Sequence, residues 1–144
     1  MVNVKMDEYI LNFDGYYIEC NKSSLPKEAG IYCVYTCKYN KKENSVSDLF
    51  LLYIGESENI YDRHKDNNHE HYDDFCSYLS EGETLCYSYA LVSDDERMQC
   101  EAALIYKMQP PINTQNKDEF LYEKTHIITS GSNSGLSKDF IVGK

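Results

Sequence analysis

Five side chains in this sequence sit where packing alone gives no reason for them, and their types could do chemistry together. Tyr32 and Tyr53 each lie within a strand-like apolar run, Arg63 falls ten residues after Tyr53, Glu101 interrupts an apolar helical stretch, and Asn113 follows a Pro-Pro pair. A phenol is a poor base at neutral pH, so a tyrosine that moves protons needs a neighbouring cation or metal-bound water. A guanidinium offers a planar fork of donors that matches a phosphate and offsets charge developing on it. A carboxylate on a partly buried helix flank is costly unless it is paired or holds a metal. One carboxylate, with water and phosphate oxygens, is enough for magnesium. Each residue also has a plain structural reading. The tyrosines can be strand packing, Arg63 a solvated charge, Glu101 an i,i+4 partner of Arg97, and Asn113 a turn residue.

The elements that must position these groups can be read from the pattern. EYILNFDGYYIEC reads as a β-hairpin over 9–20 turning at Asp14-Gly15. NKSSLPKEAG, with Pro26 and Gly30, is a connector. IYCVYTC (31–37) reads as a strand. The continuous apolar run LFLLYIG (49–55) reads as a buried central strand, joined to the first through a polar turn at 38–48. Ser57 is the expected N-cap of a helix running through ENIYDRHK, and residues 66–74 read as loop or frayed helix end. A third strand is expected over 83–92. Residues 93–108 then form the clearest helix, with a Ser93/Glu96 capping box, an acidic first turn and a stop at Pro110-Pro111. FLYEKTHIIT and KDFIV are candidate strands in the tail. The expected organisation is an N-terminal hairpin and connector over 1–29, a core over 30–116 and an extension of the same domain over 117–144.

Composition bounds the rest. An apolar fraction of 42% with 26% charged residues is that of a soluble globular domain. The acidic N-terminus lacks a signal-peptide core and no apolar run is long enough to span a bilayer, so a cytoplasmic location is expected. Six cysteines without CxxC spacing are expected as buried free thiols rather than a zinc site. The net charge of −10 opposes binding to a polyanion, but it is concentrated. Residues 1–65 carry −2, residues 66–101 carry −9 and residues 102–144 carry +1.

Taken in order, Gly30-Ile31-Tyr32, Tyr53-Ile54-Gly55, Arg63, Glu101 and Asn113 give the chain, from Gly30 to Asn113, a resemblance to the GIY-YIG nuclease superfamily. The resemblance implies a small α/β (α+β) fold, a three-stranded antiparallel sheet flanked by helices. It implies an endonuclease that hydrolyses phosphodiester bonds in DNA, and less so RNA, with a single Mg2+ or Mn2+ held by Glu101. Tyr32 would orient and deprotonate the attacking water, Tyr53 would hydrogen-bond the phosphate or the water, Arg63 would bind the phosphate, and Asn113 would support the site. Family members often carry His or Tyr four residues after the arginine. Here that position is Asn67; His64, His69 and His71 lie close by and any could substitute, with His64, Asn67 and His69 the auxiliary candidates. Lys38, Lys41, Lys42 and Lys65 are candidate substrate contacts, placing nucleic acid along the strand-to-strand turn and away from residues 66–101. A protein partner supplying specificity, and a non-catalytic binding or regulatory module on the same scaffold, are the alternatives.

Overall fold

The longest strand, β1 (Asp7–Ile18), changes partners halfway along its length. In the computed structural model, which describes residues 6–143, Asp7 to Phe13 run parallel to β5 (Thr125–Gly131), while Asp14 to Ile18 run antiparallel to β4 (Glu83–Leu91). The remaining strands are β2 (Gly30–Asn40), β3 (Ser45–Ser57) and β6 (Asp139–Val142), and the spatial order is β3-β2-β4-β1-β5-β6. The fold is therefore α+β around a six-stranded mixed sheet, which overturns the expected three-stranded antiparallel one. The expected core strands do pair antiparallel as β3-β2-β4, but the sheet continues through segments 6–29 and 117–143. Residues 1–5 of the expected N-terminal segment lie outside the described residues.

The hairpin expected over 9–20 is absent. Asp14-Gly15 resembles a two-residue turn in composition, yet it marks the point of partner exchange and a register shift against β4. Local composition cannot separate these outcomes, because both need a small residue where backbones crowd. A Cβ on Gly15 would lie 3.0 Å from the Tyr87 carbonyl oxygen.

Both faces of the sheet are covered around β2. Helix α3 (Asp94–Met108) places Cys100, Ala103 and Leu104 against Ile31, Cys33, Tyr35 and Ile54. Short helices α1 (Ile60–His64) and α2 (Tyr72–Ser77) place Ile60 and Phe75 against Tyr32, Val34, Leu52 and Tyr87 on the other face. This explains why β2 is buried on every residue from Gly30 to Cys37. Strand β3, read from its apolar run as central, is instead an edge. Its outer side is closed by the chain after α3, where Ile112 N–H donates to Leu52 O at 3.1 Å.

The helix ends differ from the sequence signals. Asn59, not Ser57, caps α1 by accepting from Asp62 N–H at 3.0 Å, while Ser57 Oγ bonds the backbone of Asn59. The Ser93 side chain makes no cap hydrogen bond, so the expected capping box does not form. The acids Asp94, Asp95 and Glu96 still oppose the helix dipole, and Asp94 pairs with Arg97. Residues 72–74, read as loop or frayed helix end, join residues 75–77 in α2, because the aromatic and apolar positions of YDDFC find a sheet face to cover. Cys33, Cys37, Cys86 and Cys100 are buried free thiols as expected, but Cys20 is exposed. Among the described residues no helix is long and apolar enough to cross a membrane.

At the far end of the sheet His126 on β5 bridges Glu8 on β1 (2.9 Å) and Asp139 on β6 (2.6 Å). Hydrogen bonds from the imidazole to Asp139, then to Glu8, raise its pKa above the ordinary histidine value. A raised folded-state pKa means this clamp is fully stabilising below about pH 6.5 and fades as pH rises through the folded value. The thermal midpoint of the native protein should therefore exceed that of His126→Gln most in mild acid. A constant gap from about pH 5 to 9 would exclude the clamp as a contributor.

Candidate active site

Gly55 is the clearest example of a backbone position serving a side chain. A Cβ there would come within 2.4 Å of the Tyr32 hydroxyl and its ring carbon, so glycine leaves the room that the Tyr32 phenol occupies. Gly30 plays a parallel role against the next strand, since a Cβ would lie 2.3 Å from Ala90 O. In β3 an extra residue opposes β2: Val34 pairs with Tyr53 and Tyr35 pairs with Leu51. Regular pairing of Tyr32 with Gly55 and of Val34 with Tyr53 sets Tyr53 on the face of Tyr32, and the two rings stack at 6.2 Å.

Tyr32 is only 1% exposed. Its hydroxyl lies 2.7 Å from His69 Nε2, and its ring meets His64 edge-to-face at 4.4 Å. The His71 backbone N–H donates to His69 Nδ1 at 3.0 Å, so a neutral His69 carries its proton on Nε2 and donates it to the Tyr32 oxygen. Burial, reinforced by the Arg63 and His71 charges, holds the His69 pKa down at about 3. His69 is therefore a hydrogen-bond donor across the physiological range and a poor base. Burial first, and then the neighbouring Tyr53, push the Tyr32 pKa well above the ordinary tyrosine value, with the Arg63 guanidinium opposing them. The Tyr53 phenol is pushed up to about 12 by burial and then by Glu101 and Glu70.

The histidine candidates separate cleanly. Helix α1 stops after His64, and positive φ at Asp66 (54°) and Asn67 (58°) turns the chain back so that His69 enters the site. Asn67 points away and accepts from Lys22 Nζ at 2.5 Å. His64 is buried between Tyr32 and Tyr87, where desolvation lowers its pKa and its Nε2 has no hydrogen-bond partner. Lys22 also binds Glu19, which accepts from Tyr72 (2.7 Å) and Tyr87 (2.5 Å). The segment preceding β2 thereby supports the histidine loop from behind.

Arg63 donates to Glu70 Oε1 at 3.0 Å. Arg97 does not pair with Glu101; it binds Glu56 at 2.5 Å and Asp94. The Glu101 carboxyl is raised to about 7, by burial first and then by the Glu56 carboxylate, with Arg97 and Arg63 among the groups pulling it down. Asn113 acts as a surrogate strand residue: its Oδ1 accepts from Ile54 N at 3.0 Å and its Nδ2 donates to Ile54 O at 2.8 Å. Removing it leaves a buried donor and acceptor of the edge strand unmet, so Asn113→Ala is expected to cost about 2–4 kcal/mol in urea unfolding. A loss below about 0.5 kcal/mol would show that the edge is held elsewhere.

A cleft of about 310 Å³ is lined by Tyr53, Glu70, His71, Glu101 and Ile105 with Asn113 to Asn116. Its location follows from the edge position of β3. One face contributes Glu70 and His71, the other contributes Glu101 from α3, and Tyr53 sits at the edge between them. Residues of the acidic segment thus line the cleft, contrary to the expectation that substrate would approach away from them. Sequence reading missed Glu70 and Glu56, since nothing in their spacing separates them from other surface acids, while His71 was among the histidines expected near the arginine.

The lysine candidates lie elsewhere. Lys41 and Lys42 occupy the β2-β3 turn, eight residues along β3 from Tyr53 to Ser45, or roughly 25 Å away. Lys38 pairs with Asp48 at 3.5 Å and Lys65 with Asp62 at 3.2 Å, both on the surface. Among the described residues no three His, Cys, Asp or Glu side chains gather into a metal cage. The oxygen donors that Glu101, Glu70 and Thr114 bring to the cleft suit a hard divalent ion held by one carboxylate and water. No family model, curated protein or solved structure matches the chain.

Proposed function

We propose that this cleft hydrolyses phosphodiester bonds in nucleic acid, as the resemblance to GIY-YIG nucleases implies, with one Mg2+ or Mn2+ at Glu101. The observation that carries the reading is convergence. Tyr53, Glu101 and Asn113 line the cleft, Tyr32 stacks behind Tyr53, and the Arg63 guanidinium acts on both tyrosines, so that five separate parts of the chain contribute at one edge of the sheet. Bound there, the ion would lower the pKa of its water and stabilise charge on the phosphate.

The protein side chains do the rest. Arg63 takes a non-bridging phosphate oxygen in place of Glu70, which is 65% exposed in its side chain and binds as a surface pair worth about 0–1 kcal/mol. Tyr53 hydrogen-bonds the phosphate from the opposite side. Tyr32, in its phenolate form, accepts a proton from water as the water oxygen attacks phosphorus. The P–O ester bond opposite then breaks, and the leaving oxygen takes a proton from solvent. His69 N–H and Arg63 both favour that phenolate.

The engagement of Arg63 by Glu70 favours a second reading, a binding module in which an internal carboxylate occupies the phosphate position. Supercoiled plasmid, single-stranded and branched DNA, and RNA, each incubated with and without Mg2+ or Mn2+, separate the two. Metal-dependent cleavage that falls about 10²–10³-fold in Arg63→Ala and rises several-fold in Glu70→Gln supports the enzyme. No cleavage of any substrate by the native chain or by Glu70→Gln overturns it.

A further inference from the structure

The extra residue between Leu51 and Tyr53 in β3 sets Phe50 on the same face as Tyr53 and Tyr32. Thr36 opposes Phe50 as Val34 opposes Tyr53, and Val34 and Thr36 share one side of β2. Two aromatic rungs result. Tyr53 packs on Phe75 of α2 at 5.6 Å, and Phe50 stacks on Tyr78 at the end of α2 at 6.4 Å with rings only 22° from parallel. Both pairs are three residues apart on each element, so they form one continuous surface. Unlike Tyr53, the outer rung is open to solvent, with Phe50 51% and Tyr78 43% exposed. The two rungs lie about 10 Å apart along the strand. Beyond Phe50 on the same side of β2 lies Lys38, two residues after Thr36.

We infer that Phe50 and Tyr78 form a stacking platform for an unpaired nucleobase flanking the phosphate held by Arg63, making single-stranded or frayed nucleic acid the preferred substrate class. This rests on the proposed function and narrows it. Base stacking is also the form of contact that suits this chain. An aromatic face accepts any base, requires no phosphate neutralisation and keeps its strength as salt rises. With a net charge of −10, and −9 of it in the segment that carries Tyr78, the chain is poorly equipped to hold a polyanion through ion pairs alone. A duplex keeps its bases stacked inside and offers the platform nothing.

The test uses the full chain in a chelator, with three labelled probes: a short oligothymidylate, an abasic strand of equal length and a duplex. The native chain should bind the oligothymidylate at least about tenfold more tightly than the abasic strand or the duplex, with a shallow salt dependence. Phe50→Ser/Tyr78→Ser should lose about tenfold or more on the oligothymidylate alone. The protein has no tryptophan, so Phe50→Trp supplies a single indole whose emission should be quenched by that oligonucleotide while affinity is kept. Equal binding by the double variant, or an unchanged Phe50→Trp spectrum at saturation, overturns the platform, as does a native chain that binds no strand. Cleavage is read separately. If the native chain cuts but the platform variants bind and cut as it does, only the platform falls. If nothing is cut while binding depends on the pair, the hydrolase reading falls and the platform stands.

Discussion

Tyr32→Phe is expected to lower phosphodiester cleavage by about 10²–10⁴-fold while leaving the folded structure in place. The ring fills the pocket between Tyr53, His64 and His69 and stays in the variant; only the oxygen that His69 bonds is removed. The pH profile separates a proton acceptor from a packing residue. Burial and Tyr53 place the Tyr32 pKa far above neutrality, so its phenolate fraction grows about tenfold per pH unit throughout the working range. The native rate should climb with pH to about 9, and the residual rate of Tyr32→Phe should lose that climb. A parallel climb in both proteins would assign the proton to another group. His69→Ala should fall between the two, because it withdraws one donor to the phenolate while Arg63 remains.

Glu101→Gln should remove metal-stimulated turnover, by about 10³-fold or more, and yet make the metal-free protein more stable. The sign follows from its raised pKa. The carboxyl is held at about 7 by burial and Glu56, against an ordinary value of 4.5. A group raised on folding favours the protein below the unfolded pKa, and that benefit is lost as pH rises through the folded value. Above about pH 7 the ionised carboxylate therefore costs on the order of 2–3 kcal/mol, which a neutral glutamine avoids. A divalent ion relieves the same cost, so Mg2+ should raise the thermal midpoint of the native chain increasingly from about pH 6 to 8 and leave Glu101→Gln unmoved. Equal stabilisation of both proteins by Mg2+ would remove Glu101 as the ligand. In the native rate profile, ionisation of Glu101 and Tyr32 together predicts a steeper climb below about pH 7 than above it.

The opposite signs matter because a residue retained at a cost in stability is retained for another reason. Arg97, one helical turn earlier, is the contrast: it pairs with Glu56 and Asp94, and its burial is fully explained by those contacts. The cost at Glu101 and the pairing of Arg63 with Glu70 are the charge arrangements that the proposed cation and phosphate would relieve.

The chain itself determined the local parts. Alternation and β-branching marked β2 and β4, the acidic first turn and Pro110 marked α3, and the order of tyrosines, arginine, glutamate and asparagine marked Tyr53, Glu101 and Asn113, which line the cleft, with Tyr32 and Arg63 beside Tyr53. These signals are local, and the physics behind them acts within a few residues. The tertiary structure alone decided the rest. Whether Asp14-Gly15 turns or continues depends on β4 and β5 being available as partners, and they are about 70 and 110 residues away in sequence. Whether LFLLYIG is central or an edge depends on Asn113 closing its open side. The histidine that reaches Tyr32 was fixed by two left-handed residues after α1 rather than by helical spacing, so His69 entered and Asn67 turned outward. Tyr53 and Phe50 share a face only because one bulged residue shifts the alternation of β3. Each depends on a long-range partner, and composition over a short window carries no record of which partner wins.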